Sequence, residues 1–255
     1  MSATDQGPTL LDEPVPGVHR LRHAYVNCYL LTDDDGVTVV DAGLPGHWEH
    51  LGRALRSIGA TPSDVRALVL THAHFDHVGV AARLQERLGL PVLLHPGDAF
   101  LAAHPYRYAH ERVRGVYPLR HPGSVPVLGA MSLAGALTVR GCHGTLPIAD
   151  GQVLDAPGRP VVVATPGHTD GHVALHLPDR DAVIAGDALV TLDPYTARSG
   201  PRIVAGAATA SSERALDSLD ALEATRATWV LPGHGEPWGG GVGRAVQLAR
   251  QVGAA

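Results

Sequence analysis
The sequence predicts an α/β fold of sheets with helices outside, and three observations predict it. Short β-branched runs alternate with apolar residues at helical spacing. Pairs of strand-like runs are joined by tight-turn residues. The 255 residues are 45% hydrophobic and 18% charged, which suffices for one domain with a sizeable core.

The elements follow in order. Residues 37–40 are a β-branched run between the turn Asp33-Asp34-Asp35-Gly36 and Asp41-Ala42-Gly43, and pair with residues 25–31 as a hairpin. Residues 50–58 place Leu51, Ala54, Leu55 and Ile58 at helical spacing and stop at Gly59. A buried strand is expected at 67–70, a helix at 81–88 ended by Gly89, and a strand at 92–94. In the second half, 161–164, 173–177 and 182–185 are strand-like, the last two joined by Pro178-Asp179-Arg180-Asp181. A helix at 212–224, a strand at 227–231 and a short helix at 242–252 complete the chain.

Between the halves, residues 96–146 show weak periodicity and several Pro and Gly breaks, with an uncharged stretch between Arg120 and Arg140. The apolar content of that stretch (Val125, Val127, Leu128, Met131, Leu133, Leu137) argues against disorder. Two readings stay open: an inserted lid-like segment, or ordinary core or dimer-interface helices. A homodimer through residues 121–139 is one expectation.

Composition removes several function classes. The formal net charge is −5, and the 20 basic residues, all arginine, are scattered. No nucleic-acid footprint results, and a small-molecule substrate is expected. Residues 1–18 carry no signal-peptide pattern, and nothing later reaches the roughly 20 apolar residues of a membrane span, so no membrane association and a cytoplasmic location are expected. Cys28 and Cys142 offer neither a disulfide framework nor a C-x-x-C site and read as reduced thiols, Cys28 as a small buried side chain.

Histidine is the unusual entry, 16 residues against two phenylalanines and no lysine. GC-rich coding accounts for most of that count, so spacing decides the rest. Thr71-His72-Ala73-His74-Phe75-Asp76-His77 gathers three imidazoles and a carboxylate between a buried strand and a helix. Composition alone yields such a window with a probability of roughly 0.4%, which makes coincidence a poor explanation. At an extended strand end His72, His74 and Asp76 share a side, while the turn into the helix swings His77 to a neighbouring position, so one loop can serve two metals. Further ligands are expected at other strand ends, and His168, Asp187 and His234 stand there, each beside a glycine that lets the backbone turn sharply. Asp41, also at a strand end, either fixes a ligand imidazole from behind or caps a turn. Tyr25, Tyr29 and Tyr195 are candidate pocket hydroxyls with no catalytic assignment, and His95, His143, His172 and His176 are read as structural.

The set H-x-H-x-D-H, G-H-T, G-D and G-H, in this order, resembles the metallo-β-lactamase-fold hydrolases. The resemblance runs from Val40-Asp41-Ala42-Gly43 through Ala149-Asp150-Gly151 to Gly235. It implies a four-layer αβ/βα sandwich with the site at one edge. It also implies one metal on His72, His74 and His168, a second on Asp76, His77 and His234, and Asp187 bridging both. Seven nitrogen and oxygen ligands without a thiolate suit two Zn²⁺ ions, and Fe or Mn are also tolerated. With metals about 3.5 to 4 Å apart, a bridging water is deprotonated near neutral pH and attacks a carbonyl, with Asp76 orienting it or shuttling its proton.

Departures from the branches narrow the activity. Class B enzymes with a cysteine at the second metal would carry it where Asp187 stands, which disfavours β-lactam hydrolysis. The flavodiiron H-x-E variant and the basic exosite of tRNA-processing relatives are missing. The remainder resembles the glyoxalase II, lactonase and general ester or thioester hydrolases, and about 20 residues after His234 fall short of the C-terminal helical domain of typical glyoxalase II enzymes. The expected reaction is hydrolysis of a carbonyl ester, thioester or lactone. The alternatives are a mononuclear iron persulfide dioxygenase and a non-catalytic ligand-binding protein.

Overall fold
A computed structural model describes residues 9–255, so residues 1–8 of the N-terminal stretch considered above lie outside the described residues. Strands β1 (Thr9–Val15), β2 (Val18–His23), β3 (Val26–Asp33) and β4 (Gly36–Val40) form an antiparallel meander. Parallel strands β5 (Val65–Val69), β6 (Val92–Leu94) and β7 (Leu146–Pro147) extend it to seven. The second sheet uses β8 (Val161–Ala164), β9 (Val173–Leu177), β10 (Ala182–Gly186) and β13 (Trp229–Pro232), while β11 (Val190–Leu192) and β12 (Ser199–Arg202) pair separately.

Alternation along the strands explains the layers. In β3, Leu30 joins one cluster with Leu51, Leu55 and Leu84, whereas Tyr29 and Leu31 join another with Val162, Leu175 and Ile184. The first cluster seats helices α1 (His47–Ser57) and α2 (Ala81–Leu88) on the outer face of the large sheet; the second is the contact between the sheets. In β10, Ile184 faces that contact and Val183 faces outward, where Leu219 and Val246 dock the later helices. The result is the expected helix–sheet–sheet–helix sandwich. The expected hairpin pairs Tyr29 with Val40, and the expected stop at Gly89 is a left-handed residue, φ 64°.

Residues 96–146 contain helices α3 (Ala99–Ala103), α4 (Tyr117–Arg120) and α5 (Ser124–Leu133). Helix α5 is apolar on every side, which is why it shows no period. Val127 and Met131 pack with Val26 and Leu44, while Val125 and Leu133 are exposed. Helices α6 (Ser212–Ala224) and α7 (Val242–Val252) close the fold, and the Ser211 hydroxyl caps α6 by accepting from Arg214 N–H. Among the described residues no helix is long and apolar enough to cross a membrane.

Strands β1 and β2 were not expected. Their alternation is disguised by Arg20 and Arg22, both buried. Arg20 is matched by Asp12 at 2.7 Å and Glu236 at 2.8 Å, and Arg22 also pairs with Glu236. Polar letters in a strand therefore face inward here because their charge is paired.

Candidate metal centre
The C-terminal ends of five strands meet at one edge of the sandwich. Strand β5 delivers the His72–His77 loop, β8 leads to His168, β10 to Asp187, β13 to His234, and β4 to Asp41. The seven expected ligands converge, and none is more than 6% exposed. Their donor atoms form three groups, each within 4.8 Å: His72 with His74 and His168, Asp76 with His77 and His234, and His72 with His77 and Asp187. Asp187 lies between the first two groups, with Oδ1 3.6 Å from His77 Nε2 and Oδ2 3.5 Å from His168 Nε2 and 3.3 Å from His234 Nε2.

Backing hydrogen bonds set which imidazole nitrogen is free. Asp41 accepts from the Thr71 amide at 2.8 Å, from the Thr71 hydroxyl and from His77 Nδ1 at 2.9 Å. Because the single Thr71 hydroxyl proton goes to Asp41, Thr71 Oγ1 can only accept from His72 Nδ1, 3.0 Å away. The same count at Thr209, whose hydroxyl donates to Val204 O at 2.7 Å, assigns the proton of His168 to Nδ1 at 3.3 Å. His234 Nδ1 donates to Tyr25 O at 2.8 Å. Four imidazoles thus carry Nδ1–H toward the protein and turn an Nε2 lone pair toward their neighbours.

These lone pairs are the test of whether a cation fits. Seven buried side-chain atoms among the described residues lack a hydrogen-bond partner, and five are here: Nε2 of His72, His74, His77 and His168, and Oδ1 of Asp187. Each such orphan costs about 1–3 kcal/mol, so five in one place would be a liability of roughly 5 kcal/mol or more without a ligand. Inward-facing nitrogen and oxygen atoms, with no lysine or arginine among them, are what a divalent cation requires.

The field agrees. Burial pushes the imidazoles of His72 and His168 well below the ordinary histidine range, keeping them in the neutral ligand form. Burial also lowers His77, but Asp187, Asp41 and Asp76 outweigh it and raise it to about 9, and His234 is likewise raised by Asp187 and Asp76. Negative potential that attracts protons to these two nitrogens attracts a metal dication equally. Asp187 and Asp76 stay ionised, since the surrounding histidines overcome the burial penalty.

Glycines let the ligand strands approach this closely. A Cβ on Gly233 would strike Asp187 Oδ1 and lie 2.8 Å from His77 Cε1; Gly186 adopts φ +51° against Thr71 and His172. Asp41 is a non-glycine residue at φ +60°, strain held by its three hydrogen bonds.

Two supporting residues, Asp98 and Arg20, escaped the sequence reading, and His172 takes the structural place expected of it. Asp98 ties the two histidine loops together, accepting from Ala73 N–H at 3.0 Å, the Thr169 hydroxyl at 2.7 Å and Gly171 N–H at 2.8 Å. Its position beside Gly97 after β6 repeats the strand-end pattern of the ligands and was the available signal. Arg20 reaches Gly235 O at 3.2 Å and braces the His234 turn. His172, expected to be structural, joins no donor group but accepts the Asp187 amide on Nε2 at 3.0 Å and donates Nδ1–H to Thr165 Oγ1 at 2.8 Å; burial lowers it to about 3. Of the candidate tyrosines, Tyr195 lines the cavity, Tyr25 contributes its backbone carbonyl, and Tyr29 donates to Pro232 O at 2.7 Å.

Comparison with known proteins agrees with this architecture. The sequence profile of the metallo-beta-lactamase superfamily matches residues 21–234. The probable metallo-hydrolase YflN of Bacillus subtilis (strain 168) is 27% identical over 242 residues, covering 89% of this chain and 87% of that protein. The metallo-beta-lactamase family protein TTHA1429 of Thermus thermophilus is 27% identical, with a TM-score of 0.63 over 96% of this chain and 79% of that one. TTHA1623, solved in a di-iron-bound form, is 27% identical, with a TM-score of 0.60 over 94% and 98%. Profile, fold and strand-end histidines coincide, and the chain belongs to the metallo-β-lactamase superfamily.

Proposed function
We propose that this chain is a binuclear metallohydrolase of small-molecule carbonyl esters, thioesters or lactones. The observation that carries the reading is the convergence of seven buried ligand side chains, four of them imidazoles whose Nδ1 is hydrogen-bonded to the surrounding protein while Nε2 faces the other ligands. His72, His74 and His168 would hold one divalent ion, Asp76, His77 and His234 the other, with Asp187 shared. Zn²⁺ suits this set, and iron is supported by the di-iron relative. Bound divalent ions would acidify a water and polarise the substrate carbonyl.

The protein's own groups do the remainder. The space that the ligands enclose with Tyr108, Tyr195 and Met131 is about 10 Å³, the size of one water molecule. Asp76 lines it as an ionised carboxylate, with Oδ2 3.3 Å from His234 Nε2, and can take a proton there. Phe75, Met131 and Tyr108 exclude bulk water from the same space.

A persulfide dioxygenase with one iron would use only the first triad and leave Asp76, His77 and His234 converged without employment. The test is turnover of an ester, thioester, lactone and nitrocefin panel by metal-stripped and by Zn²⁺- or Fe-reloaded protein. Metal-dependent cleavage of a carbonyl ester, lost by about 10³-fold or more in His72→Ala, is expected. Unchanged turnover in that variant, or cleavage of nitrocefin alone, would overturn the assignment.

A further inference from the structure
The cavity among the ligands is too small for the body of a substrate. A second cavity of about 180 Å³ lies beside it and shares His74, Tyr108 and His168 with it, so that its lining includes two buried histidines of one candidate metal triad. We propose that this second cavity receives the substrate, and that Arg107, an exposed residue of its lining, reads a carboxylate on it. The substrate class is then a short ester, thioester or lactone that carries a carboxylate beyond the scissile carbonyl. This rests on the hydrolase reading and adds substrate identity to it.

Size, lining and charge each constrain the ligand. Pockets for drug-sized molecules run from about 300 Å³ upward, so 180 Å³ selects a small one. Phe100, Leu101 and Tyr108 supply an apolar wall for a short methylene chain. Arg107 lines the cavity and has no carboxylate partner among the described residues. The two acids in the same lining are already engaged: Asp170 pairs with Arg214 at 2.7 Å, and buried Asp98 accepts its three hydrogen bonds from the two histidine loops.

A second guanidinium repeats the pattern. Arg114 stacks 4.0 Å over the Tyr108 ring, also lacks a carboxylate partner among the described residues, and has a buried Nε without a hydrogen bond. Tyr108 in turn packs against His74, with ring centroids 4.2 Å apart. On a chain of net charge −5, two arginines without a carboxylate partner, one beside Tyr108 in sequence and one stacked on its ring, add positive charge next to the residue that packs on His74. Arginine holds a carboxylate through two parallel hydrogen bonds, which also restricts the orientation of the scissile carbonyl.

The experiment compares the 4-nitrophenyl monoester of succinate with 4-nitrophenyl butyrate, which match in chain length and differ in terminal charge, on metal-loaded wild type, Arg107→Gln and Arg107→Lys. Wild type is expected to prefer the succinate ester by about tenfold in kcat/KM, the worth of one charge-assisted hydrogen bond. Arg107→Gln should erase that preference by raising KM for the succinate ester about tenfold more than for butyrate, while Arg107→Lys keeps part of it. Cleavage of butyrate with no charge preference, or an equal loss on both esters, overturns the anion pocket and leaves the hydrolase reading standing. If neither ester is cleaved, the hydrolase reading fails on this pair and titration calorimetry with succinate decides the pocket. Binding weakened about tenfold in Arg107→Gln supports it, and no binding to wild type overturns it.

Discussion

One methyl group on Gly233 should dismantle the metal centre without unfolding the protein. A Cβ there lies 2.8 Å from His77 Cε1 and closer still to Asp187 Oδ1, whereas relaxed carbon contacts begin near 3.5 Å. Relief requires the two side chains to retreat by roughly 0.7 Å or more, and metal–ligand distances tolerate about 0.2 Å. Both are proposed ligands, so metal affinity should fall by at least the 10- to 100-fold typical of disturbed coordination, and kcat/KM by about 10²-fold. Overpacking itself should cost about 1–3 kcal/mol, a lowered but cooperative melting transition. The control is Gly52→Ala in α1, where the added Cβ meets nothing nearer than Arg56 Nη1 at 3.7 Å and helix propensity should improve stability by about 0.5–1 kcal/mol. Metal content by elemental mass spectrometry, ester turnover and thermal melts on the two variants separate the effects. Full metal content and wild-type turnover in Gly233→Ala would refute the claim that this close approach positions the ligands.

Other perturbations have equally defined outcomes. Asp41→Asn keeps the shape and tolerates the left-handed backbone but brings a donor where three donors already point, so chelator competition should show metal affinity lowered 10- to 100-fold. Arg20→Gln should lower stability by roughly 1–3 kcal/mol and loosen the His234 turn, read as a lower melting temperature together with weaker metal retention. His47 is buried and lowered to about 3 by burial, with His23 and His50 adding repulsion. Its folded pKa lies below the unfolded value near 6.5, so the unfolded chain binds the extra proton and stability falls as pH drops from 6.5 toward 3, by at most about 1.4 kcal/mol per pH unit. His47→Asn should flatten that slope in urea titrations between pH 6.5 and 4.5, and an unchanged slope would exclude His47 as its source.

The site was more legible in the sequence than the scaffold around it. His72 to His77 fall in one loop, and the remaining ligands each follow a readable β-branched strand beside a glycine, so local pattern and chemistry coincide. Strands β1 and β2 were hidden because Arg20 and Arg22 face inward, paired with Asp12 and with Glu236, more than 200 residues away in sequence, and no local window reveals such a pairing. Helix α5 gave no period because its inner face meets Val26 and Leu44 while its outer face is apolar too. Asp98 and His172 act through hydrogen bonds to other loops, so their roles exist only once β5, β8 and β10 end side by side.

The most direct test is the number of metal ions per chain, measured by native mass spectrometry on protein purified without chelator and repeated on His72→Ala and His234→Ala. Two divalent ions in the wild type and a reduced count in each variant are the predicted result. Protein that carries no metal, or a count that both substitutions leave unchanged, would contradict the assignment of these seven side chains to a metal centre.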